Sequence, residues 1–340
     1  MKKILITGGA GYIGSHTILE ILENTNWEVV SADNFLNSSA STFDRIEKIS
    51  GKRIRNYNVD LRNLISTKKI FEAEGKIDGV IHFAALKAVG ESVERPLWYY
   101  DNNFNSLLSI LRCCRDFNVP DLIFSSSCSI YGNVDHLPVD ENTALGEAES
   151  PYAHTKAVGE DMLRHFVKTS PTRVISLRYF NPVGAHKTGQ IGENPINKPN
   201  NLVPVITQTA AGINEKMWVH GNDYKTRDGS CIRDYIHVTD IADAHIKALQ
   251  YLQGNKNSQP IEFYNLGTGN GISVLEAIDM FEEISGLKLN FEMGPRRPGD
   301  VEAIYSDSTL AKNRLGWETK FGLKEMMQTA WKWQQEISSK

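Results

Sequence analysis

Tyr152 and Lys156 stand four residues apart in the run Ser150-Pro151-Tyr152-Ala153-His154-Thr155-Lys156, which reads as the opening of a helix. Ser150 suits the N-cap and Pro151 the first turn, so the phenol and the ammonium share one helix face. A free tyrosine ionises near pH ~10. A cation within a few ångströms lowers an acid by ~1–3 units, and the positive end of the helix pushes the same way. The pair therefore suits a tyrosine general base of lowered pKa. The same spacing arises by chance on many helices, so its meaning comes from its company.

The first companion is the glycine-rich opening, Ile4-Leu5-Ile6-Thr7-Gly8-Gly9-Ala10-Gly11-Tyr12-Ile13-Gly14. It reads as a strand, a glycine turn and a helix start, and fits both G-x-G-x-x-G (Gly9, Gly11, Gly14) and G-x-x-G-x-x-G (Gly8, Gly11, Gly14). Missing side chains let backbone approach a pyrophosphate, whose charge the free N–H groups of the next helix receive. Asp33 follows the β-rich Val29-Val30-Ser31-Ala32, about 20 residues beyond the glycines. A carboxylate there accepts both adenosine-ribose hydroxyls and repels a 2′-phosphate, which favours NAD over NADP. The second companion is Ser125-Ser126-Ser127-Cys128-Ser129, leaving a strand that begins at Leu122. Its hydroxyls fall at the carboxyl edge of the sheet, where open α/β folds bind ligands.

The elements that must position these groups are legible as apolar runs. Residues 4–6, 29–30, 80–83, 122–124 and 174–177 read as strands buried on both faces of a parallel sheet. Helical patterns such as Ile13, Thr17, Ile18, Ile21 and Leu22 lie between them. The expected fold is α/β, a doubly wound parallel Rossmann-type sheet with a smaller mixed α/β C-terminal lobe. The expected division is an NAD-binding domain at 1–182, with later returns near 234–265, and a substrate lobe at 183–340. Residues 184–201, rich in Gly, Asn, Pro and Lys, read as a loop near a site, and the polar end 336–340 is expected to fray.

Composition narrows the class. With 340 residues, 41% hydrophobic and 23% charged, the chain is an ordinary globular protein. A net charge of −4 offers no field for a nucleic-acid backbone. No apolar run approaches the ~20 residues of a membrane span, and no signal-peptide pattern opens the chain. Cys113, Cys114, Cys128 and Cys231 form no C-x-x-C and read as reduced thiols of a cytoplasmic protein. The scattered histidines lack ligand spacing, so no metal is expected.

Taken together, these motifs resemble the extended short-chain dehydrogenase/reductase family, and within it the nucleotide-sugar 4-epimerases. The similarity runs through residues 7–14, 33–34, 58–61, 82–92, 99–103, 125–132, 150–156 and 178–185, then 233–238, 264–267 and 295–300, nearly the whole length. It implies inversion at C4 of a UDP-hexose, interconverting UDP-glucose and UDP-galactose through a 4-keto sugar, with NAD tightly bound. It implies a homodimer formed through helices near 107–111 and 162–166. It further implies that Tyr152 is the acid/base, that Lys156 holds the nicotinamide ribose, and that Ser127 bonds the reacting hydroxyl. Gly8, Gly11, Tyr12, Ile13, Gly14, Asp33, Asn34, Phe83, Ala84, Ala85, Lys87, Asn102 and Phe180 would line the cofactor, with Asp60 and Leu61 beside the adenine. Asn181, Asn201, Arg233, Arg297, Asp300 and Ile304 would line the UDP-sugar, the arginines offering planar forks to the diphosphate.

Two positions depart from the family pattern. Ala85 stands where several relatives have glycine. Ile304 stands where some carry a tyrosine beside the sugar and others a small residue that admits an N-acetyl group, so UDP-N-acetylhexosamines and UDP-pentoses stay open. A dehydratase would need an Asp-Glu pair where this chain has Cys128-Ser129. A non-catalytic NAD-sensing module would keep the glycine turn but have no need of Tyr152 with Lys156.

Overall fold

A computed structural model describes residues 1–196, 199–297 and 300–339. Asn197 and Lys198 of the expected loop, Pro298 and Gly299 of the stretch 295–300, and Lys340 lie outside the described residues. In the first half, strands β1 (Lys3–Thr7), β2 (Glu28–Ala32), β3 (Arg55–Tyr57), β4 (Gly79–His82), β5 (Asp121–Ser127) and β6 (Arg173–Tyr179) alternate with helices. The helices are α1 (Tyr12–Asn24), α2 (Ser41–Ser50), α3 (Leu64–Glu74), α4 (Val89–Glu94), α5 (Pro96–Asp116) and α6 (Pro151–Phe166).

After β6 come β7 (Asn181–Val183), α7 (Leu202–Ala210), β8 (Met217–His220), β9 (Ile232–His237), α8 (Val238–Gln253) and β10 (Ile261–Leu266). The chain ends with β11 (Gly271–Ser273), α9 (Val274–Ser285), β12 (Phe291–Gly294), β13 (Ala303–Ile304), α10 (Thr309–Leu315) and α11 (Leu323–Ser338). Glu336 and Ile337, expected to fray, are the last turn of α11.

Seven parallel strands form the large sheet in the order β10-β6-β5-β4-β1-β2-β3. Alternate residues feed two cores. Ile4, Ile6, Val29, Ile81, Ile123, Ile175 and Leu177 enter one, while Leu5, Val30, Val80, Leu122, Phe124 and Val174 enter the other. A one-residue slip would exchange the two sets, so burial on both faces fixes the register. In α1, Ile18 and Ile21 are fully buried, each burial stabilising by roughly 1.5–3 kcal/mol. The short polar β3 was not among the expected strands, and β4 stops at His82, leaving Phe83 to open the following loop.

The smaller part is a mixed sheet in which β9 pairs with β11, β13 and β7, plus the pair β12-β8. From the region 234–265, β10 joins the large sheet, whereas β9 lies in the small one. Because β1 sits between β2 and β4, the strand order reverses there, and a crevice opens beyond their carboxyl ends. No helix among the described residues is long and apolar enough to cross a membrane.

Candidate active site

The glycine turn lies at that crevice. Gly8 takes a left-handed φ of 71°, and a Cβ on it would stand 2.9 Å from the backbone N of Ala84. Gly11 N–H donates to the Gly8 carbonyl at 3.1 Å, and a Cβ on Gly14 would clash with that same oxygen. Gly8, Gly11 and Gly14 therefore make one compact turn, and Gly9 presses on Ser31 of β2. Helix α1 starts at the N-cap Gly11 with no side-chain cap and no acid in its first turn. Its free N–H groups and positive end fit a pyrophosphate. The partly buried Ile13 side chain packs against the core, while the Tyr12 hydroxyl donates to the Gly184 carbonyl at 2.6 Å.

Asp33 stands at the end of β2 and is buried. Its Oδ2 accepts from Ala10 N–H at 2.9 Å, and its Oδ1 from Phe35 N–H and the Ser38 hydroxyl, both at 2.8 Å. Asn34 accepts from Leu36 N–H at 3.1 Å. Asp60 is held by Arg62, whose Nη2 donates at 2.6 Å, an arginine that sequence reasoning passed over. Leu61 belongs to the core.

Helix α6 delivers the Tyr–Lys pair. Ser150 Oγ accepts from Ala153 N–H at 3.2 Å and Pro151 opens the helix, the caps read from the sequence. Tyr152 lies beside the Ser127 hydroxyl at the end of β5. Lys156 is 5% exposed; its Nζ donates to the Ser125 carbonyl at 2.6 Å and sits 5.9 Å from the Tyr152 ring centroid.

The expected lowering of the phenol is not what the structure shows. Burial pushes Tyr152 up to about 12, with the Ser127 hydrogen bond acting the other way. Taking a phenolate out of water outweighs the help available from an ammonium already committed to a carbonyl. Burial also brings Lys156 down to about 8, opposed by the Glu160 carboxylate.

The loop after β4 closes one side. Ala84 N–H donates to Thr7 Oγ1 at 3.3 Å, and the Phe83 ring lies 4.7 Å from that of His245. Asn102 donates to Asn103 Oδ1 at 3.0 Å. Asn103 also accepts from Leu86 N–H at 2.8 Å, and its amide donates to the Leu86 carbonyl and Thr155 Oγ1, both at 3.0 Å. It thus ties the loop carrying Ala84, Ala85 and Lys87 to α6. Lys87 reaches Glu193 at 2.8 Å, and Asn201 donates to the same carboxylate oxygen at 2.8 Å. Neither Asn103 nor Glu193 was singled out in the sequence. Each is a polar residue whose telling partners, Leu86 and Thr155 for Asn103 and Lys87 for Glu193, are far along the chain.

On the other side, two arginines converge on one acid. Arg297 donates to Asp300 through Nε at 3.1 Å and Nη2 at 2.8 Å, and Arg233 Nη2 stands 3.5 Å from Asp300 Oδ1. Ile304 lies opposite Arg233 in the β13–β9 pairing and packs with Ile130, Tyr131, Val139 and Phe180. Burial pushes the neighbouring Cys128 thiol up to about 12, with the Arg233 charge opposing, so Arg233 faces the serine turn. Asn181 pairs through its backbone with Tyr235.

Residues 5–330 match the family model described as GDP-mannose 4,6 dehydratase, which gives the broad class. UDP-glucose 4-epimerase 2 of Arabidopsis thaliana is 47% identical over 336 residues, 98% of this chain and 95% of that protein. The crystal structure of UDP-glucose-4-epimerase from Stenotrophomonas maltophila, with bound NAD and formylated UDP-arabinopyranose, superposes with a TM-score of 0.95 at 43% identity, covering 100% of this chain and 99% of that one. The Bifidobacterium longum enzyme in complex with NAD⁺ and UDP gives a TM-score of 0.94 at 42% identity, covering 98% of both chains. The chain belongs to the UDP-glucose 4-epimerase family.

Proposed function

We propose that the protein is an NAD-dependent 4-epimerase that interconverts UDP-glucose and UDP-galactose through a 4-keto sugar. The observation that carries this reading is the meeting of Tyr152 with Ser127 and of Lys156 with Ser125 at the carboxyl edge of a sheet whose glycine turn fits a pyrophosphate. We assign residues 1–182, apart from β7 in the small sheet, to the cofactor unit together with α8, β10 and α10, and the rest to the substrate lobe.

When bound, NAD⁺ supplies a reversible hydride acceptor for C4 and a positive charge beside the phenol. Tyr152 takes the proton of the C4 hydroxyl and later returns it, and Ser127 orients that hydroxyl. Lys156, fixed by the Ser125 carbonyl, holds the nicotinamide ribose and adds positive charge. Tyr12, Lys87, Asn102 and Phe180 line the cofactor, and Asp33 with Asp60 holds its adenosine end. Arg233 and Arg297 exchange Asp300 for the diphosphate, with charge-assisted bonds on both forks, while Asn181 and Asn201 frame the sugar. UDP is gripped and the hexose loosely held, because a ketose clamped in one pose could not present its other face.

The four cysteines are free thiols, which supports a reducing, cytoplasmic setting. The groove between α5 and α6, lined by Leu108, Leu111, Met162 and Phe166, supports a homodimer through these helices. A second reading, UDP-pentose epimerisation, is favoured by the pentose nucleotide bound to the Stenotrophomonas maltophila relative. The test is to supply UDP-glucose to purified protein without added cofactor and follow UDP-galactose. Conversion is expected, with Tyr152→Phe slower by about 10²-fold or more yet retaining NAD. Absence of conversion by the wild type, with NAD bound, rejects this reading and favours a sensing module.

A further inference from the structure

The face of α6 that carries Tyr152 and Lys156 carries Glu160 one turn further on. These three side chains meet three consecutive residues of β5. Tyr152 lies beside Ser127, Lys156 Nζ donates to the Ser125 carbonyl at 2.6 Å, and Glu160 Oε1 accepts from the Ser126 hydroxyl at 2.7 Å. Glu160 is fully buried, at 0% exposure. Its Oε1 also accepts from Ser176 Oγ and Arg178 Nε, both at 3.0 Å, and its Oε2 from Arg178 Nη2 at 2.7 Å. Arg178, equally enclosed, donates to the Tyr131 hydroxyl at 2.9 Å, which donates to Asn265 at 2.7 Å. A buried ion pair gains little stability over well-packed apolar side chains of similar size. Its use lies in what the carboxylate faces.

We propose that Glu160 is a positioning residue for the epimerase: it gives Lys156 a buried counter-charge and, through Ser126, sets the Ser125 carbonyl and the Ser127 hydroxyl in register with Lys156 and Tyr152. The proposal rests on the Tyr152–Lys156 reading of the reaction. Around Lys156, β4 presents His82, which burial holds neutral, its pKa down to about 3. Strand β5 presents the Phe124 ring, 5.0 Å from Nζ, and β6 presents the Tyr179 hydroxyl near Ser125. Tyr152 and Glu160 face Lys156 from its own helix, with Arg178 and Arg164 beyond Glu160, the latter 3.8 Å from Oε2. Glu160 is thus the acid that favours the ammonium against burial.

The test is the pH profile of kcat, measured on NAD-loaded protein. Activity needs the ammonium, so it is lost as pH rises through the Lys156 pKa, and removing the nearby negative charge moves that loss to lower pH. Glu160→Gln is expected to shift the alkaline limb down by about one unit and to lower kcat several-fold at neutral pH, with KM for UDP-glucose within twofold. Because Gln leaves Arg178 without its partner, Glu160→Gln/Arg178→Met is measured beside it, as is Glu160→Asp, which keeps the charge and the wild-type limb. Ser126→Ala, which removes only the tether, lowers kcat and leaves the limb in place. An unmoved limb in Glu160→Gln, a limb displaced further still in the double variant, which loses a positive charge with the negative one, or a Ser126→Ala protein with wild-type kcat, overturns the proposal. A wild-type protein that does not interconvert the two sugars overturns the reading of the reaction instead.

Discussion

The backbone N–H of Ala10 donates to the Asp33 carboxylate at 2.9 Å, so the acid at the end of β2 fastens the glycine turn that follows β1. Phe35 N–H and the Ser38 hydroxyl occupy its other oxygen. A carboxylate offers about four lone-pair positions, and the protein itself engages three. The expectation that Asp33 serves both ribose hydroxyls is therefore narrowed. It shapes the turn and keeps one acceptor position, enough for an adenosine-ribose hydroxyl.

Asp33→Ala is accordingly expected to weaken both fold and cofactor retention. Losing hydrogen bonds to a charged, buried acceptor costs roughly 2–3 kcal/mol, which thermal unfolding would register as a lower Tm. Bound NAD should be lost on gel filtration. A variant that keeps wild-type Tm and full NAD content would show that Asp33 holds neither.

We propose that Ile304 sets the choice between plain and acetylated substrates, which its position alone leaves open. It is 4% exposed and wedged among Ile130, Tyr131, Val139 and Phe180, in register with Arg233. Ile304→Ala opens space beside the sugar, and is expected to raise kcat/KM for UDP-N-acetylglucosamine relative to UDP-glucose by roughly tenfold. The cavity should also lower stability by about 2–5 kcal/mol. An unchanged substrate ratio, measured on both nucleotides side by side, would place the selectivity elsewhere.

Stability should depend on pH through five buried histidines, four of them shifted far. Burial brings His16 and His82 down to about 3, and His237 and His245 down to about 4, whereas in the unfolded chain each titrates near ~6.5. The folded state thus binds fewer protons, so this stabilisation is complete above pH ~6.5 and is lost as pH falls toward ~4. Glu20, lifted to about 7, and Asp240, lifted to about 6, both by burial, act oppositely, as do the smaller upward shifts of Asp121 and Glu141, but the four large histidine shifts, with that of His186 in the same direction, outweigh them. Tm is expected to fall between pH 7 and pH 5; a rise over that interval would contradict the assignment.

What the sequence revealed was local. The glycine turn, the helix caps at Ser150 and Pro151 and the five apolar strand runs each depend on neighbours within a few residues, and each is found in the fold. Strand β3 escaped notice because it is short, polar and at the sheet edge. Asn103, Glu160 and Glu193 look like ordinary solvated positions until the fold shows what lies opposite. The Tyr152 pKa went the wrong way for a related reason: spacing reveals a cation one turn away, but burial belongs to the whole molecule.

In the proposed reaction a proton leaves through Tyr152 while the C4 hydrogen is removed and restored within the site. It is tested most directly with UDP-glucose deuterated at C4, incubated with the protein in ordinary water without added cofactor. The UDP-galactose formed is expected to keep its deuterium on C4. Loss of that label to solvent, at a rate matching product formation, would contradict it.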